Sequence, residues 1–266
     1  MIAVERLELQ AGPRVLMAPA SFTVQSGEFI ALLGRNGSGK TTLLRTLAGV
    51  RRYAYGSIRI AGRDLSTMGA PERAALISHL AGDDVFFDKL LVREVAAMGR
   101  YAHHRWWQWR RTQRDDEVVD AALEAAGMLT FASRAFDTLS SGERQRVWIA
   151  LALAQESPLL LLDEPTSHLD IRSAQEILLL LKTLCGAGKT IVCALHDLNE
   201  AAQTAGKVLL LGSGKLLAFD TPHRVFAGRS AQEAYGVPLE SFTSPSGALR
   251  VFPAQSGSVT IDRGFE

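Results

Sequence analysis

The chain has 266 residues, 47% hydrophobic and 21% charged, enough for one large domain or one domain with a small appendage. A formal net charge of +1 excludes a global field for nucleic acid or an acidic substrate. Two cysteines without metal-ligand spacing, Cys185 and Cys193, exclude a disulfide framework and predict a reduced, cytosolic chain. Residues 1–6 show no basic-then-apolar leader, and no apolar run approaches the ~18 residues that span a bilayer.

Residues 2–9 and 20–24 alternate apolar and polar side chains (Ile2, Val4, Leu7, Leu9; then Phe22, Val24), which predicts half-buried antiparallel strands. Ser26-Gly27-Glu28 turns the chain into the apolar run Phe29-Ile30-Ala31-Leu32-Leu33. The run ends on Gly34-Arg35-Asn36-Gly37-Ser38-Gly39-Lys40-Thr41-Thr42 and then on a helix through Leu43, Leu44 and Leu47. Residues 55–62 form a short strand, Pro71 starts a helix, and Ile77-Ser78-His79-Leu80 is a strand ending at Ala81-Gly82-Asp83-Asp84. From about residue 85 to 134 the pattern is helical: Leu91, Val95 and Met98 share a face, as do Val118, Ala122 and Leu123. Leu159-Leu160-Leu161-Leu162 and Thr190-Ile191-Val192-Cys193-Ala194-Leu195 are uniformly apolar, the pattern of a buried parallel sheet. A helix spans residues 177–184, and a hairpin turns at Gly212-Ser213-Gly214. The tail after Tyr235 is weakly patterned.

Three stretches carry chemistry. Strand, glycine-rich turn, helix is the context that the pattern G-x-x-x-x-G-K-[ST] needs. Gly34, Gly37 and Gly39 let backbone N–H groups approach a polyphosphate, flanked by Arg35, Asn36 and Ser38. The helix from Lys40 aims its positive end at the same anion. Lys40 can neutralise the β- and γ-phosphates, and the Thr41 hydroxyl can ligate Mg²⁺, with Thr42 following. A glycine turn that merely closes a corner does not require the Lys-Thr ending.

The second stretch is Asp163-Glu164, at the end of a buried strand, where α/β sheets hold ligands. Asp163 is placed for Mg²⁺, directly or through water, and Glu164 to polarise the attacking water; a plain turn and N-cap is the structural alternative. His196, after the next buried strand, would stand beside the γ-phosphate and read its presence. The third is Leu139-Ser140-Ser141-Gly142-Glu143-Arg144-Gln145. Hydroxyl, glycine N–H and helix dipole make it a second anion-binding helix start, where a purely structural reading gives an N-cap at Ser141. One chain has no need of two phosphate-binding helix starts. A head-to-tail homodimer does, with Ser140, Ser141, Gly142 and Glu143 of one copy facing the phosphate loop of the other.

In that order, residues 34–41, 139–145, the segment Leu161-Leu162-Asp163-Glu164-Pro165-Thr166-Ser167-His168-Leu169-Asp170 and His196 resemble an ATP-binding-cassette (ABC) transporter ATPase across nearly the whole chain. The helix following Ser140, together with Leu195-His196-Asp197-Leu198-Asn199 and Tyr235-Gly236-Val237-Pro238, is similar to the ATPases of ferric-siderophore, haem and vitamin B12 importers. The resemblance implies an α/β P-loop NTPase with a RecA-like parallel-sheet core, an antiparallel β subdomain and an inserted helical subdomain. It implies a cassette over residues 1–235, with the helical part at about 85–157, and a short extension over 236–266. ATP and Mg²⁺ are the implied cofactors. Integral membrane permease subunits and, indirectly, a periplasmic or surface substrate-binding protein are the implied partners, at the cytoplasmic face of the inner membrane. Ser167 and Asp170 would belong to the loop crossing the dimer interface.

Three departures stand out. The glutamine usual after the strand at 76–80 falls at Gly82, which has no side chain to ligate anything. The signature reads Leu-Ser-Ser-Gly where two glycines are typical. No aromatic stands in Gln10-Ala11-Gly12-Pro13-Arg14-Val15 to stack adenine, leaving the Arg14 guanidinium plane or Val15 for that task. The Trp- and Arg-rich run at 103–111 is followed by Asp115, Asp116 and Glu117, which argues against nucleic acid and leaves packing and a permease-facing surface open. A mechanical-clamp ABC ATPase of repair or translation is the alternative class; it would carry coiled-coil insertions or a second cassette. A small-molecule kinase would leave the Ser-Ser-Gly helix start without a task.

Overall fold

The computed structural model describes residues 1–12, 14–81, 87, 89–104, 112–245 and 247–254. In chain order the elements are β1 (Ile2–Ala11), β2 (Arg14–Val24), β3 (Phe29–Leu33), α1 (Lys40–Leu47), β4 (Ser57–Ile60), β5 (Arg63–Asp64), α2 (Ala70–Leu76) and β6 (Ile77–Leu80). Then come α3 (Val92–Ala97), α4 (Gln113–Ala125), α5 (Ser141–Ala154), β7 (Leu159–Asp163), α6 (Ile171–Gly186), β8 (Thr190–Ala194) and α7 (Leu198–Thr204). The chain closes with β9 (Lys207–Gly212), β10 (Lys215–Asp220), α8 (Pro222–Ala227), α9 (Arg229–Tyr235), β11 (Leu239–Thr243) and β12 (Leu249–Pro253).

Six strands form the central sheet in the order β10-β9-β3-β8-β7-β6, parallel except for β10. Its four inner strands, β9, β3, β8 and β7, are apolar on both faces because each face has its own core. Ile30, Leu32, Leu159, Leu161, Val192, Ala194, Leu209 and Leu211 join α1 and the antiparallel sheet β2-β1-β4-β5. The residues between them (Ala31, Leu33, Leu160, Leu162, Ile191, Cys193, Val208 and Leu210) join helices α3 to α7. This is period-2 alternation without a polar face, as two-sided burial requires. The expected α/β fold is the observed one.

The order of strands positions the chemistry. β3, β8 and β7 are neighbours and end at one edge, so the segments after Leu33, Asp163 and Ala194 meet there. The helices α3, α4 and α5 pack on one another between β6 and β7 in the chain, and Gln155 fastens their end by donating to Ala74 O and Ile77 O at 2.6 and 2.8 Å. Cys193 lies in the core and Cys185 at the end of α6.

Three elements differ from the sequence expectation. α6 starts at Ile171, six residues before the predicted Ile177. Its first turn lacks an apolar face (Ile171 is 82% exposed) and is held by Asp170, which accepts from the Ser173 N–H at 3.0 Å. β2 begins at Arg14, not at residue 20, because the β1–β2 ladder continues through irregular register shifts that break the alternation. The weakly patterned tail forms the β11–β12 hairpin, whose buried Leu239, Leu249 and Val251 are too few to announce themselves by period.

Candidate functional site

The phosphate loop is built as its sequence demands. Gly34 has φ 149°, and a Cβ there would meet Leu211 O and come within 2.5 Å of the Ser38 hydroxyl. Gly39, at φ 104°, caps α1 in a left-handed conformation that L side chains rarely adopt. Lys40 is 5% exposed and folds back to donate to Gly34 O at 3.0 Å. Burial pushes its ammonium pKa downward, against the attraction of Glu164 and Asp163. The crest of the loop, Arg35, Asn36 and Gly37, is open to solvent.

Asp163 and Glu164 are adjacent in sequence but serve different sides of the site. Glu164 has φ 55°, a left-handed conformation that costs a non-glycine residue about 1–3 kcal/mol. The turn it makes sends its carboxylate to His196, with Oε2···Nε2 at 2.6 Å, and leaves Oε1 3.8 Å from Lys40 Nζ. Asp163 instead receives a hydrogen bond from the Thr41 hydroxyl, and burial raises its carboxyl pKa. The backbone holds this corner from β8: the Glu164 N–H donates to Ala194 O at 3.1 Å. Sequence positions 40, 41, 163, 164 and 196 therefore share one site.

Among the described residues, Ser38 Oγ and Asp163 Oδ1 are buried oxygens there without a hydrogen-bond partner. Native interiors rarely leave such atoms unpaired, so both fit a polar ligand. Oxygen donors, Thr41 and Asp163, suit a hard cation such as Mg²⁺, and the amide-rich loop suits a polyphosphate.

Ser140, Ser141, Gly142 and Glu143 open α5. Ser140, not Ser141, is the N-cap: its Oγ accepts from the Glu143 N–H at 3.3 Å, and Glu143 Oε2 accepts from the Ser140 N–H at 2.8 Å. Gly142 is required by packing, since a Cβ would fall 2.7 Å from Ser173 Oγ at the start of α6. Ser140 and Ser141 are exposed. Within the chain, Ser141, Arg144 and Gln145 border a cavity of about 380 Å³ that also reaches Asp163 and Glu164.

Arg14 is exposed at the tip of the β1–β2 hairpin; the nearby side chain that meets the phosphate loop is Leu16, 3.2 Å from where a Gly39 Cβ would lie. Gly82 lies outside the described residues, as do positions 105–111 of the Trp-rich run. His103 and His104 at its start are described: they bond to Gln155 O at 2.8 Å and Asp115 Oδ2 at 2.9 Å.

Sequence reasoning missed His79, whose buried Nε2 has no partner among the described residues and whose imidazole pKa is lowered by burial, against the pull of nearby Asp163. Its alternation with Ile77 was the available signal, since Ile77 faces the α1 core. Also missed were the Thr166 hydroxyl bond to Glu200 at 2.9 Å and the burial of Tyr235 beside the Gly34 backbone.

The family model described as ABC transporter matches residues 17–167, which hold the phosphate loop, the Ser-Ser-Gly helix start and the carboxylate pair. The chain belongs to the ABC transporter family. It is an ATPase of that family, which binds ATP. It is 40% identical to a hemin import ATP-binding protein of Streptomyces coelicolor, over 96% of this chain and 91% of that protein. Against the petrobactin import ATP-binding protein of Bacillus anthracis the identity is 36%, over 91% and 89%. Against the ferric enterobactin transport ATP-binding protein of Escherichia coli it is 37%, over 88% and 86%. In structure, the ABC ATPase superposes with TM-score 0.84 and 26% identity on a chain of a metal-chelate-type ABC transporter in an inward-facing conformation, covering 96% of this chain and 98% of that one. Among the described residues no helix is long and apolar enough to cross a membrane.

Proposed function

We propose that this ATPase energises an importer of an iron chelate (a siderophore or haem) or of cobalamin, working as a homodimer beneath integral membrane permease subunits. The observation that carries the substrate class is the likeness, over nearly the full chain, to ATP-binding proteins named for hemin, petrobactin and ferric enterobactin import. The likeness to a metal-chelate-type transporter chain supports the same class. A substrate-binding protein outside the membrane would select the cargo, and the ATPase would sit peripherally on the cytoplasmic face of the inner membrane.

In this reading the loop from Gly34 to Thr42 wraps the phosphates of ATP. Lys40 neutralises charge on the β- and γ-phosphates, and Thr41 and Asp163 would hold Mg²⁺, which when bound would supply positive charge to the phosphate oxygens. Glu164 takes the proton of the attacking water. His196, hydrogen-bonded to Glu164, orients that carboxylate. The exposed Ser140 and Ser141 of one copy close over the exposed loop crest of the other, so that two ATP molecules are sandwiched. Closure and reopening then drive alternating access.

A test co-expresses the chain with candidate permease subunits and purifies the complex from membranes. Recovery of a complex whose ATPase rises with loaded binding protein supports the importer. Recovery of the wild-type chain only as a monomer without a membrane partner overturns it. A mechanical clamp on nucleic acid would instead show ATPase stimulation by DNA or RNA.

A further inference from the structure

The hairpin β11–β12 follows the cassette elements and has no task in the chemistry above. Its attachment is specific. The Asn199 side chain lies alongside β12 and pairs with the Val251 backbone twice: Nδ2 donates to Val251 O at 3.1 Å, and the Val251 N–H donates to Oδ1 at 2.9 Å. A primary amide is the side chain that reproduces a backbone amide's donor and acceptor together, so α7 is bonded to the hairpin as a strand edge would be.

Asn199 is in the first turn of α7, which starts two residues after His196. Asp197 caps it, accepting from the N–H groups of Asn199 at 2.6 Å and Glu200 at 3.3 Å. A helix of seven residues has little stability of its own, so its outside contacts decide where it lies. Among the described residues two polar ties join it to other elements besides the cap: Glu200 to Thr166, which follows Glu164 by two residues, and Asn199 to Val251. The far end of the same segment leaves the phosphate loop. Tyr235 buries its hydroxyl beside the Gly34 backbone, where burial raises its pKa to about 12, and Gly236 lies against Arg35. Residues 235–253 thus run from the phosphate loop to the helix behind His196.

We propose that Asn199 is a positioning residue: through Val251 it makes the C-terminal hairpin the support that holds the first turn of α7, and hence His196, against Glu164. It acts on turnover and not on ATP affinity, because its bonds reach the histidine side of the site and none reaches the P-loop. This rests on the ATPase chemistry assigned to Glu164 and His196.

The test uses the full chain with Asn199→Ala and, from the hairpin side, Val251→Pro, which removes the donor to Asn199 without altering α7. Asn199→Ala loses two hydrogen bonds of ordinary strength and should lower kcat about tenfold; Val251→Pro loses one and should lower it about threefold to fivefold. KM for ATP and the affinity for a fluorescent ATP analogue should stay within about twofold of wild type. In single-turnover assays on a His196→Ala background, Asn199→Ala should add no further loss, since the group it positions is gone. An unchanged kcat, a loss confined to KM, or full additivity with His196→Ala overturns the proposal. If Asn199→Ala loses its cooperative thermal transition, Val251→Pro decides by the same three criteria, and a folded Val251→Pro chain with wild-type kcat also overturns it. A chain with no ATPase activity in any form, wild type included, would instead refute the function assigned to the site.

Discussion

Glu164 Oε2 lies 2.6 Å from His196 Nε2, across two parallel strands that are neighbours in the sheet, β7 and β8. A left-handed turn at Glu164 and the short span from Ala194 to the α7 cap bring the pair together. Lys40 at 3.8 Å from the other carboxylate oxygen completes a group in which each side chain is fixed by a different element.

Removing the base while keeping its shape isolates the chemical step. Glu164→Gln should bind ATP within a few-fold of wild type and hydrolyse it at least about 100-fold more slowly. With ATP bound it should elute as a dimer. Single-turnover hydrolysis and gel filtration with ATP check both; hydrolysis at the wild-type rate would remove Glu164 from the role of base.

His196→Ala takes away the partner that orients Glu164. Turnover should fall about 10- to 100-fold with ATP affinity nearly intact, because the P-loop contacts do not involve His196. Steady-state kinetics together with a nucleotide-binding titration read the split. A defect in affinity alone would mean that His196 belongs to binding.

Gly34→Ala tests the close approach beneath the loop. The new methyl has no room against Leu211 O and the Ser38 hydroxyl, and φ 149° disfavours any L side chain. ATP affinity should drop by at least tenfold, about 1.4 kcal/mol, with a lower thermal midpoint. Gly62→Ala, at a turn where a Cβ meets nothing within 4 Å, is the control for left-handed strain without a clash.

The helical part holds a buried charge network. Arg100 donates from Nε to Asp115 Oδ1 at 2.9 Å, while His104 Nε2 and the Thr112 hydroxyl and N–H bond to Oδ2. Burial pushes the Asp115 pKa up, but the Thr112, His104 and Arg100 hydrogen bonds outweigh it and hold the carboxyl well below the usual range. A depressed folded-state pKa gives stability that is present above the unfolded value of about 3.9 and lost as pH falls through the folded one. Asp115→Asn should therefore destabilise the chain by about 1–3 kcal/mol at pH 7, because Arg100 keeps Glu156 Oε2 and Ala154 O at 2.7 Å but loses the buried carboxylate at its Nε. The gap to wild type should narrow below about pH 4. Denaturant melts at both pH values check it, and a gap independent of pH would show that the carboxylate charge contributes nothing.

Contiguous residues were enough for much of this protein. Glycines and Lys-Thr after an apolar strand specify a phosphate loop, because the anion is bound by neighbouring N–H groups of one turn. Leucine runs ending in Asp163-Glu164 specify a sheet buried on both faces, since both alternating sets must meet a core. What only the tertiary structure decided lies between segments distant in the chain. Asn199 and Val251 are 52 residues apart, and no periodicity links an amide in a helix to a strand backbone. Likewise His79 stands near Asp163 only because β6 pairs with β7, and Asp163 and Glu164 part only because of one left-handed turn. Local patterns record what a segment buries; strand order and backbone turns determine which side chains then face one another, and those depend on packing the whole chain at once.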